Sequence, residues 1–562
     1  MAKIPADYLP PKELWAEYTT PEEFKQYASG QWNIAEELLD KHVKEGRGDN
    51  VAILFGDQKV TYKELLAMAN KFANVLTKLG VEAQDRVGIR LTNMPEAVAI
   101  NFGIMKCGAI PVPVSPLWAK EEVAFVLNNA EFKAFAVSFP LMAAVEGGAH
   151  EFEFPTKIIV VGGKPEEVEA KGYVSFAKEM AAASDQFTNV KLDAANDIGV
   201  ILFTSGTTGQ PKGCVHFVRE VLIESNIVNK YVWKIAPGEV LGGSAPVSFA
   251  AGYGTFCMVP FAGGGAISLL PKFTPDDMMA TIAKHKVTVV TGLPTAYRKL
   301  LEMPNFNDYD ISSVRMYTTG GDALTGKTLA MWQAKTGKPI WEGLGGTEMM
   351  HLVTSNTMSD IPMPDSIGKA LPGFEIKVVR EDGTTAGPGE VGSMLIKGPT
   401  ATLYWKPYIQ DNKLLKSMKK GIKDGYNMMG DAVLMDKDGF MFFQAREDDM
   451  IKSSGFRLAP TEIEDAIIRH PAVRDDAVVG IPDEIMGQKV VAMVELEPGH
   501  TASQELASDI IKSTMDVLAT YKLPREVVFL PAIPRTPTGK IIKKDLRKNY
   551  PEYPDKYVPK VK

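Results

Sequence analysis

The sequence predicts an α/β chain that ends in a smaller α+β unit, and three observations carry that prediction. In the first half, helical and strand patterns alternate, which implies parallel layers of sheet and helix. From about Lys377 the chain turns to short strands broken by Asp382-Gly383, Gly387-Pro-Gly389 and Asp438-Gly439, the signature of an antiparallel or barrel-like portion. After Lys452 the pattern becomes helix, strand, helix, strand, a small α+β domain. A chain of 562 residues is too long for one compact core, and its length predicts about three or four domain-sized units.

The elements follow in order. Thr61 and Glu64 form a capping box, Leu65, Met68, Ala69, Phe72, Leu76 and Leu79 recur at helical spacing, and Gly80 closes the helix. Residues 86–91 form a β-branched strand, Pro95 opens an apolar helix to about Lys106, and residues 109–114 return to strand. Residues 240–271 carry no charge and are long enough to cross a bilayer. Seven glycines, with Pro246 and Pro260, rule out one continuous helix there and predict buried strand and loop around an apolar pocket. In the last region the expectations are a helix capped by Thr461 and Glu464, strands at 490–496 and 527–530, and a helix near 503–518.

Composition narrows the function classes. A hydrophobic fraction of 45%, a charged fraction of 23% and a net charge of −7 describe a soluble protein with no general attraction to nucleic acid or anionic lipid. Cys107, Cys214 and Cys257 lie far apart without a CxxC pair, so neither a disulfide framework nor a zinc ribbon is expected. The seven histidines show no HExxH spacing. Charges and prolines occupy the N-terminus where a signal peptide needs an apolar run, so a cytoplasmic, reducing setting is expected.

The chemistry concentrates first in TSGTTGQPKG, residues 204–213, which follows the apolar strand pattern of residues 198–203. Glycines 206, 209 and 213 free backbone N–H groups to face an anion; Thr204, Ser205, Thr207 and Thr208 add hydroxyls, and Lys212 adds positive charge. A Walker A loop would require glycine at Pro211 and Ser or Thr at Gly213, so this is no P-loop NTPase signature. The string instead resembles the phosphate-binding loop of the adenylate-forming enzymes, the superfamily of acyl- and aryl-CoA ligases, luciferases and peptide-synthetase adenylation domains, with Thr204, Ser205, Gly206, Thr207, Thr208, Gly209 and Lys212 on the nucleotide.

Five further motifs match that superfamily in its own order, and by that resemblance they carry defined roles. Gly320-Gly321-Asp322 is similar to the adenine-side segment, where the family more often has Glu. Gly343-Leu344-Gly345-Gly346-Thr347-Glu348 is similar to the motif that packs near adenine, touches the α-phosphate through Thr347 and holds Mg²⁺ on Glu348. Residues 424–431 resemble the segment whose final aspartate, here Asp431, accepts hydrogen bonds from both ribose hydroxyls, with Met429 in place of the usual threonine. Residues 444–457 resemble the interdomain junction, with Ala445 where glycine is usual; Arg446 reaches the nucleotide, Asp448 is the hinge, and Ser454, Gly455 and Arg457 approach the site for the CoA step. Residues 534–541 resemble the loop that delivers a catalytic lysine, Lys540, to the substrate carboxylate and the α-phosphate.

The resemblance implies a large N-terminal domain over residues 1–447, with 377–447 as its barrel-like portion, and a small mobile α+β domain over 448–562. It implies an ATP-dependent carboxylic acid–CoA ligase that uses ATP, Mg²⁺ and coenzyme A and passes through an acyl-adenylate. Phe249, Tyr253 and Gly254 align with the stretch that lines the acyl pocket. Residues 342–351 and 291–297 look most like benzoate- and aminobenzoate-CoA ligases, so an aromatic, alicyclic or medium-chain acid is expected. The alternative is an adenylation module that loads a carrier protein, with no attached carrier domain expected.

Overall fold

The computed structural model describes residues 4–204, 211–359, 362–406, 418, 422–454, 456–536 and 539–560. Of the residues singled out above, Ser205, Gly206, Thr207, Thr208, Gly209 and Gly455 lie outside the described residues, as does the side chain of Arg457.

Two largely parallel sheets form the first half, as the alternating pattern predicts. One has five strands, in the order Ile110–Pro113, Arg86–Arg90, Phe132–Ser138, Lys157–Val161 and Val174–Ser175, all parallel. The other has seven, in the order Ile340–Glu342, Met316–Thr319, Val289–Gly292, Val240–Gly243, Ala266–Ser268, Val51–Phe55 and Gln58–Thr61, with only the last pair antiparallel. The helix Tyr62–Lys78 begins on the expected capping box: Glu64 N donates to Thr61 Oγ1 at 3.2 Å, and Thr61 N donates to Glu64 Oε2 at 2.8 Å. Gly80 follows it at φ 79°, where a residue with a Cβ would be strained. The helix Pro95–Lys106 is buried along nearly its whole length, as expected of a helix that is apolar all round.

The stretch 240–271 departs from expectation. It begins and ends in strands, but between them Ala250–Tyr253, Gly254–Met258 and Val259–Gly263 follow one another as helical segments, the middle one π-helical. Pro260 sits in the first turn of the last segment, where its missing N–H costs nothing. Among the described residues no helix is long and apolar enough to cross a membrane.

The antiparallel portion has Glu375–Val379, Val391–Lys397, Tyr426–Met435 and Ile422–Lys423 in that order, with Met441–Arg446 also paired to Tyr426–Met435. The C-terminal part holds a sheet of Val473–Asp483, Gly487–Leu496, Glu526–Phe529 and Lys556–Tyr557. Its helix Gln504–Ser513 is capped by Ser503. The Thr461–Glu464 box does not form: the helix Pro460–Ile467 starts two residues earlier than a Thr461 cap requires, on proline, and Thr461 Oγ1 instead donates to the Gln444 carbonyl. Glu464 is used elsewhere, accepting from Val478 N at 2.7 Å and pairing with Lys543 at 2.7 Å. All three cysteines are free and buried. Burial pushes the Cys107 thiol up to about 12 and raises those of Cys214 and Cys257 further.

Candidate active site

Four loops leave the seven-stranded sheet side by side, because its registers pair Gly243 with Thr291, Gly292 with Thr319, and Thr319 with Glu342. These loops begin the acyl-side stretch after Gly243, the Thr295 helix, the Gly320-Gly321-Asp322 turn and the Gly343–Gly346 turn. The carboxyl edge of a parallel sheet is where such folds bind ligands. Close backbone approach explains the small residues: a Cβ on Gly345 would stand 1.9 Å from the His351 carbonyl oxygen. Leu344 N donates to Thr354 Oγ1 at 3.1 Å, which braces this turn from behind. Glu342, at the strand end, is buried and accepts from Leu324 N at 3.0 Å; burial raises its carboxyl well above the ordinary range.

The phosphate-loop segment is a hairpin, not the strand-to-helix unit of a P-loop. Ile198–Phe203 pairs antiparallel with Gly213–Phe217. At the mouth of the loop Thr204 N donates to the Lys212 carbonyl at 2.9 Å, and Lys212 N donates to Thr204 Oγ1 at 3.3 Å. Lys212 Nζ stands 5.5 Å from the centre of the Tyr404 ring, and the Tyr404 hydroxyl donates to Glu348 Oε1 at 3.4 Å. The hairpin mouth and the Thr347-Glu348 turn are thereby joined.

One anchor of this region went unread in the sequence. His216, fully buried in the second hairpin strand, donates from Nε2 to the Thr347 carbonyl at 2.8 Å. Its Nδ1 meets Glu220 Oε2 at 2.9 Å, and Glu220 Oε1 accepts from the Tyr18 hydroxyl at 2.7 Å. The available signal was a His–Glu pair at i, i+4 shortly after Lys212, in an apolar setting where unpaired polar groups are expensive.

The antiparallel sheet contributes Asp431 and Arg446, which face each other in register. Arg446 Nη1 donates to Asp431 Oδ1 and to the Met429 carbonyl, each at 2.8 Å. Burial raises the Asp431 carboxyl, while the positive charges of Arg446 and Lys540 draw it down. Met429 packs against the glycine turn: a Cβ on Gly346 would lie 2.7 Å from Met429 Cε. Ala445 is buried with Ala432, Met450 and Ala459 at the joint between the two parts of the chain.

Lys540 reaches this site from the C-terminal domain. Its Cε lies 3.9 Å from the point where a Cβ on Gly321 would stand, and the preceding Gly539, at φ +90°, abuts Thr295. Asp322 Oδ1 accepts from Ala323 N at 3.1 Å, and its other oxygen lies 4.0 Å from Arg535 Nη1. The sequence-predicted residues Thr204, Lys212, Gly320, Gly321, Asp322, Thr347, Glu348, Asp431, Arg446 and Lys540 thus lie around one centre. Ser454 does not join it in this arrangement; its N–H bonds to the Met486 carbonyl at 2.8 Å within the small domain. Asp448 is exposed in the short turn Glu447–Asp449, whose Asp449 pairs with Arg547 at 2.7 Å.

The stretch that the sequence assigns to the acyl pocket carries no charged side chain. Phe249 is half-buried, whereas Tyr253 lies in the core and donates its hydroxyl to Asn101 Oδ1 at 2.9 Å. A Cβ on Gly254 would stand 2.1 Å from His351 Cδ2, so glycine is needed there. His351 packs edge-on to Trp233 at 5.3 Å, and burial holds its imidazole down at about 4. It is therefore neutral at pH 7.

Among the described residues no cluster of three or more His, Cys, Asp or Glu could cage a metal. Mg²⁺ needs no such cage, because it binds through one or two carboxylates together with substrate phosphates and water. Glu348, a half-buried carboxylate beside the hairpin mouth, fits that requirement.

Comparison with known proteins agrees with this geometry. Residues 39–405 match the family described as AMP-binding enzyme, and residues 462–540 match its AMP-binding enzyme C-terminal domain. The chain is 31% identical to the benzoate–CoA ligase of Thauera aromatica, over 92% of this chain and 96% of that protein. It is 29% identical to the mitochondrial acyl-coenzyme A synthetase ACSM3 of Mus musculus, over 96% of each. The crystal structure of the anthranilate CoA ligase AuaEII in complex with anthranoyl-AMP superposes with a TM-score of 0.84 at 29% identity, covering 93% of this chain and 98% of that one. A match that spans most of the chain, on a fold that gathers the same motifs at one sheet edge, makes this protein a member of the AMP-binding enzyme family.

Proposed function

We propose that this AMP-forming acid–CoA ligase activates an aromatic, alicyclic or medium-chain carboxylic acid. The observation that carries the substrate class is the uncharged stretch from 240 to 271, which holds no Asp, Glu, Lys, Arg or His and packs through Gly254 on a His351 that is neutral at pH 7. A second carboxylate on the substrate would find no counter-charge there, whereas an apolar body would lose only its contact with water. The named activities of the benzoate and anthranilate ligases support the same class.

In the first half-reaction the carboxylate oxygen attacks the α-phosphorus of ATP and pyrophosphate leaves. Lys540 would bridge the two anionic reactants and lower their repulsion. Lys212 and the hairpin loop would hold the outgoing phosphates, and Thr347 would bind the α-phosphate. Asp431 would accept from the ribose hydroxyls; its bond to Arg446 opposes burial and favours the ionised, acceptor form. Glu348 would hold Mg²⁺, which supplies positive charge against the phosphates when bound. In the second half-reaction the CoA thiol attacks the acyl carbon, giving the thioester and AMP. Lys540 must vacate the centre for that step, and rotation of the 448–562 domain about Asp448, bringing Ser454 and its neighbours round, would accomplish it.

The test is a panel of benzoate, aminobenzoates, cyclohexane carboxylate, straight-chain acids and a dicarboxylate, with AMP and thioester formation measured using CoA alone. Turnover is expected for apolar monoacids and not for the dicarboxylate. Preference for the dicarboxylate would remove the substrate reading, and strict dependence on an added carrier protein would remove CoA as acceptor.

A further inference from the structure

The Lys540 turn is held by an array of alternating charges that crosses between the domains twice. Arg535 Nη1 donates to the Gly539 carbonyl at 2.6 Å, immediately before the lysine, and Thr536 N donates to the Lys540 carbonyl at 2.7 Å. The other arm of Arg535 donates to Asp475 Oδ2, on the strand Val473–Asp483 of the small domain. Asp475 Oδ1 faces Arg298 Nη1 of the large domain at 3.9 Å, and Arg535 faces Asp322 of the large domain at 4.0 Å. The order is therefore Arg298, Asp475, Arg535, Asp322, with signs alternating and large-domain residues at both ends.

One helix face of the large domain receives this array. On and just past Pro294–Leu301, Thr295 abuts Gly539, Arg298 faces Asp475, and Glu302 pairs with Arg474 at 3.3 Å. Spacings of three and four residues place all three on one side of the helix. The side chains of Arg535, Asp475 and Arg298 are only 17–24% exposed, so screening by solvent is reduced without the full cost of burial.

We propose that Asp475 is a positioning residue for Lys540. It orients Arg535, which grips the Gly539 carbonyl, and Arg298 docks it on the large domain, so the lysine is set only while the domains stand as they do here. Rotation for the thioester step would separate Arg298 from Asp475 and Asp322 from Arg535, releasing turn and domain together. The inference rests on the reading of Lys540 as the adenylating lysine.

The experiment compares ATP–pyrophosphate exchange with thioester formation from supplied acyl-adenylate, in the full chain carrying D475N, D475E, R298Q or K540A. Asp475→Asn is expected to lower kcat for exchange by about 10- to 100-fold with little change in KM for ATP, because a displaced catalytic group costs rate more than binding. Thioester formation should stay within about twofold, D475E should recover most of the exchange, and R298Q should lose about fivefold, as suits a pair at the edge of contact. Equal loss of both half-reactions in D475N and R298Q, or undiminished exchange in both, would overturn the proposal. Lys540→Ala separates the failures: exchange surviving in K540A would remove the lysine's role and this inference with it, whereas exchange lost in K540A but intact in D475N would overturn this inference alone.

Discussion

The two halves of the active centre are built by different physics. The large-domain half is fixed by burial: the Thr347 carbonyl is held by His216, fully buried with Glu220, and the glycine turns are pressed against backbone at distances that admit no Cβ. The small-domain half consists of a lysine turn held by ion pairs with partly exposed side chains, two of them stretched to 3.9 and 4.0 Å across the domain boundary. Buried polar networks are costly to open, while pairs at a wet boundary contribute about 1 kcal/mol or less each. The proposed reaction, which needs a constant nucleotide site and an exchangeable catalytic group, calls for that asymmetry.

The comparison can be broken most sharply at the lysine. Lys540→Ala should lower ATP–pyrophosphate exchange by two to three orders of magnitude, about 3–4 kcal/mol, while leaving thermal stability and thioester formation from supplied acyl-adenylate nearly unchanged. Parallel loss in both half-reactions would put Lys540 among the fixed groups. His216→Ala should do the reverse. Removing the partner of buried Glu220 and of the Thr347 carbonyl is expected to cost about 3 kcal/mol of folding stability by chemical denaturation, and to depress both half-reactions together. A variant of wild-type stability would show that the anchor carries no load.

The fixed half also has a pH signature. The folded chain protonates His351 only near pH 4, whereas the unfolded chain does so near 6.5, so the unfolded state binds the extra proton between those values. Stability from this group is therefore complete above about pH 6.5, falls as pH drops towards 4, and levels below it, a change of at most about 3 kcal/mol. His351→Gln should flatten that limb of the stability profile by up to one proton, with His42 still titrating in both proteins. An unaltered slope would contradict the assignment. The smallest effect is expected at the junction, where Asp448→Pro stiffens an exposed turn: the CoA step should slow by about tenfold and exchange by less than twofold. The opposite order would move the pivot away from Asp448.

What could be read in advance follows the range of the interactions. The Thr61 box, the buried helix after Pro95 and the parallel alternation depend on local spacing, and they stand as expected. Helical segments at 250–263 were hidden because glycine and proline content argues against helix only when tertiary packing is ignored. Thr461 misled for a related reason: its spacing to Glu464 is correct, but the carbonyl of Gln444 and the amide of Val478 compete for both side chains. In the site, the motif residues were legible one by one. The hairpin that brings Thr204 to Lys212, the His216 bond to Thr347 and the array through Asp475 join residues up to 213 positions apart, and no local pattern encodes such pairings.

Burial of the thiols has a consequence for an enzyme that manufactures an electrophile. Cys214 adjoins the hairpin mouth and bridges to Tyr404, within reach of the charges of Lys212 and Glu348, yet its sulfur is kept protonated by its apolar surroundings. A thiolate there would compete with the incoming acceptor and trap the acyl group as a dead-end adduct on the protein itself. Alkylating reagents should accordingly leave the native chain untouched and modify all three cysteines once it is unfolded, so that self-inactivation during turnover is suppressed by packing alone.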